Sequence, residues 1–176
     1  MDAKALKNFQ DRTDAKLRYA EIHLNELKNI EPLGGDDFDR AHQESFLFHL
    51  LGALDAFLFE LNECYNLNFD PNKVSFQYFA RQLKVLKVKI AEFDSISALY
   101  GDNTSWLYHA KAMRNYSTHV SNLSRSFHIG GPNHQKVWLK HPKSGNIIER
   151  HFIDEFHDWL QNMKSFLLDL RKKANH

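Results

Sequence analysis

The chain has 176 residues, of which 43% are hydrophobic, and its formal net charge is only +1. This length and composition suit one folded domain, 1–176, and argue against disorder over most of the chain. The near-neutral charge argues against strong non-specific binding of nucleic acid, although it leaves room for a local basic groove.

The cysteine content and the hydropathy exclude several further classes of protein. The single cysteine, Cys64, cannot form an intramolecular disulfide or a cysteine-based zinc site. Apolar runs stay below the ~18 residues that a membrane-spanning helix needs, and the N-terminal segment is polar and charged. We therefore expect a cytoplasmic protein without a membrane segment.

Apolar spacing predicts an all-α fold, an up-and-down bundle of about five helices. Two long helices are predicted over 4–30 and 38–64, separated by a break that contains Pro and Gly. The second has so many apolar positions that we expect it to be central and covered on several sides. A third helix is predicted over 74–93 and a fourth over 104–123.

The segment before the last helix changes character. Short β-rich runs at 136–140 and 146–150 flank a Pro/Gly turn at 142–145, a pattern typical of a β-hairpin. A fifth helix is predicted over about 153–173. The expected fold is thus a helical bundle with a small hairpin inserted before its last helix, and the pattern does not indicate what the hairpin does.

The fourth predicted helix carries the segment RNYSTH at 114–119. Arginine pairs with phosphate oxygens and histidine transfers protons near neutral pH, so these residues suit a phosphodiester. Asn115 and His119 share a helix face, whereas Arg114 is rotated by about 140° from His119. Arg114 must therefore either wrap around the helix or serve a second copy of the chain.

A metal-free ribonuclease needs a base, an acid and a cation that stabilises the charge developing at phosphorus. His119 could supply the proton transfer, Arg114 could hold the phosphate, and Asn115 could orient His119. We assign substrate binding to Lys111, Tyr116 and Thr118 on the same helix. One copy lacks a convincing second proton carrier, which a dimer would provide. The alternative is that Arg114 is a solvated charge and His119 an ordinary helix histidine.

Other polar residues give weaker indications. A metal site in a bundle typically uses Glu-x-x-His on two helices, and no such pair occurs, so we expect neither a metal ion nor another cofactor. Asp55, inside the apolar second helix, needs a partner if it is buried, and Arg114 is one candidate. Several basic residues could form a positive rim around the motif or simply a solvated face: Arg81, Lys84, Lys87, Lys89, Lys111 and Arg125.

The pattern Arg114-Asn115-x-x-x-His119, on the penultimate helix of an all-helical domain, resembles the signature of the HEPN superfamily. Many HEPN proteins are metal-independent endoribonucleases in which motif helices of two subunits form one cleft. The resemblance implies a homodimer that binds RNA, with Arg114 and His119 catalytic and Asn115 supporting them. It also implies attack by the 2′-hydroxyl that leaves a 2′,3′-cyclic phosphate.

The resemblance further implies a setting in toxin–antitoxin systems or phage defence, with a nucleotidyltransferase-type antitoxin as a candidate partner. Some HEPN proteins have lost catalysis and only bind nucleotides or act as scaffolds. Two alternatives therefore stay open. One is a non-catalytic module that binds a nucleotide or RNA, and the other is a structural helical protein whose partner covers the motif.

Overall fold

The structure, a computed structural model, describes residues 3–30, 37–128, 130–133 and 136–174. These ranges contain six α-helices and a small antiparallel sheet, so the predicted all-α, bundle-like class is confirmed. The helices are α1 (Ala3–Lys28), α2 (Asp37–Cys64), α3 (Phe76–Leu86), α4 (Ala91–Gly101), α5 (Trp106–His119) and α6 (Phe152–Ala174).

Helix α2 is the centre of the bundle, as its many apolar positions predicted. It packs against α1, α3, α5 and α6, and its side chains from Phe46 to Leu61 are buried on several faces. Phe46 stacks on Phe156 of α6 with ring centroids 4.5 Å apart, and both rings are fully buried. Truncating either ring to alanine would cost about 3–5 kcal/mol of stability, because a cavity would remain.

The predicted third helix, 74–93, is in fact two helices, which raises the number of helices from about five to six. The chain breaks at Lys87, which has a left-handed backbone with φ 55°. The Val88 N–H donates to the Leu83 carbonyl at 3.1 Å, which closes the end of α3 in the manner of a Schellman motif. Glycine usually marks such an ending, so the lysine here gave no signal.

Three short strands precede α6: β1 (Arg125–Phe127), β2 (Val137–Lys140) and β3 (Ile147–His151). Strands β2 and β3 form the predicted hairpin, and β1 adds an antiparallel strand on the other side of β2. Strand β1 was not predicted, because three residues are too few to display an alternating pattern. A buried ion pair between Arg125 and Asp39 fastens this sheet to the first turn of α2.

None of the helices in the described ranges is long and apolar enough to cross a bilayer.

Candidate functional site

The orientation of α5 decides where the motif residues point. Ser105 caps the helix by accepting a hydrogen bond from the Tyr108 N–H at 3.1 Å. Three apolar side chains of α5 are fully buried: Leu107, Ala110 and Met113. Because this stripe faces the core, the side chains of the motif are distributed over the remaining faces of the helix.

Arg114 points toward the first two helices. It lines a pocket of about 530 Å³, here named the α1–α2 pocket, together with Arg12, Lys16, Phe48, Gly52 and Asp55. The Arg114 Nε is buried and has no hydrogen-bond partner among the described residues. Burial raises the pKa of the Asp55 carboxyl, while the positive charge of Arg114 and, less strongly, that of Lys16 lower it. The suggested partners Asp55 and Arg114 thus line the same pocket, but no ion pair joins them among the described residues.

Asn115 points to a different side of α5. Together with Lys111 and Tyr116 it lines a second pocket of about 260 Å³, here named the α5–turn pocket. The β2–β3 turn forms its opposite wall, where the Lys143 Nζ lies 5.1 Å from the centroid of the Tyr108 ring. The inserted hairpin therefore contributes directly to the surroundings of the motif, a role that the sequence did not indicate.

Positive charges are concentrated in the α5–turn pocket. The Lys111 Nζ lies 4.1 Å from the centroid of the Tyr100 ring, within range of a cation–π interaction. Burial lowers the pKa of Lys111, and the positive charges of Lys143 and Arg114 lower it further. Lys143 and Arg114 thus each repel Lys111, so an anion bound beside Lys111 would relieve the repulsion.

Thr118 and His119 are exposed at the C-terminal end of α5, and the following Val120 is 69% exposed. His119 lines neither of the two pockets, although Asn115 one turn earlier lines the second. Within one chain, Arg114 and His119 therefore lie on different sides of α5, as the helical spacing predicted. The residues assigned to substrate binding are also divided, because Lys111 and Tyr116 lie in the α5–turn pocket and Thr118 lies on the surface.

Arg125 does not belong to a positive rim around the motif. Its side chain is only 7% exposed and pairs with Asp39, whose side chain is 4% exposed. Arg81 lies over the Tyr78 ring of its own helix, 5.6 Å from the ring centroid. Of the predicted rim, Lys111 is the residue that lines one of these two pockets.

The sequence did not reveal a histidine cluster between α1 and α2. The Nδ1 atoms of His23 and His42 are 3.1 Å apart, and the His49 ring stacks on that of His23 with centroids 5.5 Å apart. Burial lowers the pKa of His49 to about 4, and the charge of Lys16, whose Nζ lies 3.4 Å from the His49 Nδ1, contributes. Within the described residues, no three His, Cys, Asp or Glu side chains are arranged to hold a metal ion.

The sequence also did not reveal the α1–α2 pocket. Its residues recur at helical spacing on each helix, with Arg12 and Lys16 on α1 and Phe48, Gly52 and Asp55 on α2. A glycine in the middle of a 28-residue helix was the available signal, since such a position usually has a packing or functional reason.

Comparison with known proteins assigns the chain to a family without assigning an activity. The chain belongs to DUF6586, a family of unknown function, and matches it over residues 8–176. No curated protein and no solved structure matches the chain.

Proposed function

We propose that this protein is a metal-independent endoribonuclease of the HEPN type that acts as a homodimer. The observation that carries the proposal is the arrangement of the last turns of α5. His119 is exposed at the end of the helix, while Asn115 and Lys111 line a basic pocket on the same helix. This arrangement offers a proton carrier at the surface and cations that can hold an RNA phosphate.

The separation of Arg114 from His119 supports a site made by two chains. In a symmetric dimer, each α5 can present its His119 to the partner's Arg114, and in each site that histidine can serve first as the base and then, once protonated, as the acid. The base removes the proton of the RNA 2′-hydroxyl, and the 2′-oxygen forms a bond to phosphorus. The bond from phosphorus to the 5′-oxygen breaks, and the acid protonates that oxygen. The products are a 2′,3′-cyclic phosphate and a 5′-hydroxyl.

Cleavage of single-stranded RNA in the presence of EDTA tests this proposal. We expect His119→Ala and Arg114→Ala each to lower the rate by at least about 100-fold, because proton transfer and charge stabilisation each contribute at least that much. Suitable controls are His157→Ala and Arg18→Ala, which remove exposed side chains from α6 and α1. DNA should be inert, because it lacks the attacking hydroxyl. Equal cleavage by the motif variants and the controls would refute the proposal.

Mixing the two inactive variants tests the composite site. If each site takes Arg114 from one chain and His119 from the other, about a quarter of all sites are intact in a randomly mixed population of dimers. Cleavage should therefore reappear when the two variants are mixed and their subunits are allowed to exchange. If both groups came from one chain, every site would lack one of them and the mixture would stay inactive.

The second candidate is a binding module without turnover. The observation that favours it is that Arg114 lies in the α1–α2 pocket, apart from His119 within the chain. Saturable, salt-sensitive binding of RNA without any product would support this candidate. A purely structural protein would instead lose assembly with its partner in the Arg114→Ala variant, without any effect on RNA.

The proposal also includes a cytoplasmic role as a toxin or in phage defence, with a nucleotidyltransferase-type antitoxin as a candidate partner. Its support is the HEPN-type pattern of Arg114, Asn115 and His119. Induced expression should then stop growth, whereas the His119→Ala variant should not. Growth arrest of equal strength by both proteins would contradict a toxic ribonuclease.

A further inference from the structure

We propose that the α1–α2 pocket binds one nucleoside phosphate, with cations holding the phosphate and an exposed phenylalanine stacking on the base. The inference rests on the proposed function, since an RNA strand would supply this nucleoside phosphate. The same chemistry could also come from a free nucleotide. The test measures binding rather than cleavage, so that the failure of either idea can be recognised separately.

The charges of the pocket are unbalanced. Arg12, Lys16 and Arg114 contribute three positive charges, and Asp55 is the carboxylate that lines the pocket with them. Burial lowers the pKa of Lys16, and the charge of Arg12 lowers it further, so the two cations repel each other. Among the described residues, no carboxylate forms an ion pair with Arg12 or Lys16. A bound anion would compensate this excess of positive charge.

A second observation points to a missing polar partner. The Nε of Arg114 is buried at the pocket and makes no hydrogen bond among the described residues. Buried donors are nearly always hydrogen-bonded, because one left unpaired destabilises the fold. Since Arg114 lines the pocket, a phosphate bound there would pair with its guanidinium.

The walls of the pocket suit a planar ring. Phe9 and Phe59 stack on each other with centroids 5.4 Å apart, while Phe48 is 51% exposed. The Lys16 Nζ lies 4.7 Å from the centroid of the Phe48 ring, so a cation and a half-exposed aromatic ring are adjacent. Single-stranded nucleic acids are bound by this combination of basic groups and aromatic faces, on which the bases stack.

The dimensions agree with one nucleotide residue. A volume of about 530 Å³ lies within the range of ~300–1,000 Å³ that is usual for small-ligand pockets. Gly52 has no side chain and leaves this side of α2 open. A Cβ at this position would lie at contact distance from Lys16, 3.5 Å from its Cδ. A larger side chain at position 52 would therefore displace Lys16 and fill part of the pocket.

Binding of a fluorescent 2′-O-methyl oligoribonucleotide to the full-length protein tests the inference. This probe cannot be cleaved, because its 2′-oxygen carries no proton. We expect Arg12→Ala and Phe48→Ala each to weaken binding by about tenfold, since a stacked base or a charged hydrogen bond contributes about 1–3 kcal/mol. Gly52→Leu should weaken binding as well, although it removes no charge.

Each variant has a matched control. Arg18→Ala removes another exposed arginine of α1, and Phe38→Ala removes a ring of α2 that is 57% exposed. Both controls should bind within about twofold of the wild type, since the loss of one remote charge or ring leaves the site intact. If the pocket variants bind as tightly as these controls, the inference is wrong.

Further probes distinguish the sources of the ligand. Binding of AMP that depends on Phe48 would identify a free nucleotide as sufficient, whereas binding of the oligonucleotide alone would identify an RNA strand. Ribose 5-phosphate should bind at least about tenfold more weakly than AMP, because it has no base to stack. Equal binding of the two would overturn the assignment of Phe48. If His119→Ala stops cleavage but leaves binding unchanged, His119 acts in catalysis and takes no part in this binding site.

Discussion

Replacing Arg171 of α6 by methionine is a direct test of how the α1–α2 pocket is held in shape. The Arg171 Nε and Nη2 each donate to the Glu60 carboxylate of α2 at 2.9 Å, and the Nη1 donates to Asp14 of α1 at 2.8 Å. Glu60 lies on α2 and Asp14 on α1, so Arg171 is bound to both helices that form the walls of the pocket. The arginine thus ties three helices together.

The expected loss follows from the burial of each partner. Glu60 is only 2% exposed, so the Arg171→Met variant leaves a buried carboxylate without its charged partner, which costs about 3–5 kcal/mol. The side chain of Asp14 is 40% exposed, and its interaction adds less than about 1 kcal/mol because water screens it. We therefore expect the free energy of unfolding to fall by about 4 kcal/mol.

Urea unfolding of Arg171→Met, Glu60→Met and the double variant measures this loss and its origin. The double variant should regain at least about 2 kcal/mol relative to Arg171→Met, since an apolar pair avoids the unpaired buried charge. Arg150→Ala is the matched control. It breaks a pair with Asp158 in which both side chains are nearly half exposed, and it should cost less than about 1 kcal/mol. A loss as small as that of the control, or no recovery in the double variant, would refute the reasoning.

Three further changes have defined outcomes. Gly52→Ala should raise the free energy of unfolding by about 0.5–1 kcal/mol, because the added Cβ meets Lys16 at an ordinary contact distance within a helix, and a lower stability would contradict this. Arg125→Ala should cost about 3–5 kcal/mol in thermal or urea unfolding, because it removes the guanidinium that pairs with the buried Asp39 carboxylate. A cost below about 1 kcal/mol would contradict this. For His49, the folded-state pKa of about 4 lies below the ordinary value of 6.5, so the unfolded chain takes up the proton first as the pH falls. Stability should be undiminished above pH 6.5 and decline by on the order of 1 kcal/mol toward pH 4, and His49→Gln should remove that part of the slope.

The parts of the fold that the sequence predicted are those with long, regular patterns. The two long helices and the hairpin follow from apolar spacing and turn residues. The break at Lys87 was not predictable, because a lysine adopts the left-handed conformation that glycine usually supplies. Strand β1 was not predictable because its three residues are identified by pairing with β2 and not by their own pattern.

Only the part of the candidate site that lies on α5 could be predicted from the sequence. Helical geometry predicted that Arg114 and His119 point in different directions, since both lie on α5 and are rotated by about 140° from each other. The neighbours of Arg114 in the α1–α2 pocket depend on how α1 and α2 are aligned against α5. Arg12 and Phe48 are far apart in the sequence, and nothing in either segment specifies that alignment. The same reason hid Lys143, which reaches the motif only because the β2–β3 turn folds against α5.

The packing of α5 keeps the two proposed catalytic groups, Arg114 and His119, apart within one chain. Bringing Arg114 to the side of His119 would require α5 to turn by about 140° about its axis. Such a turn would expose Leu107 and Met113, which are fully buried, at about 1.5–3 kcal/mol for each side chain. The helix is therefore fixed in its present orientation, and the proposed site takes Arg114 and His119 from two chains. If the mixture of Arg114→Ala and His119→Ala stays inactive while the wild type cleaves RNA, the two-chain site is wrong. Arg114 and His119 must then act within one chain, or Arg114 must act only in binding.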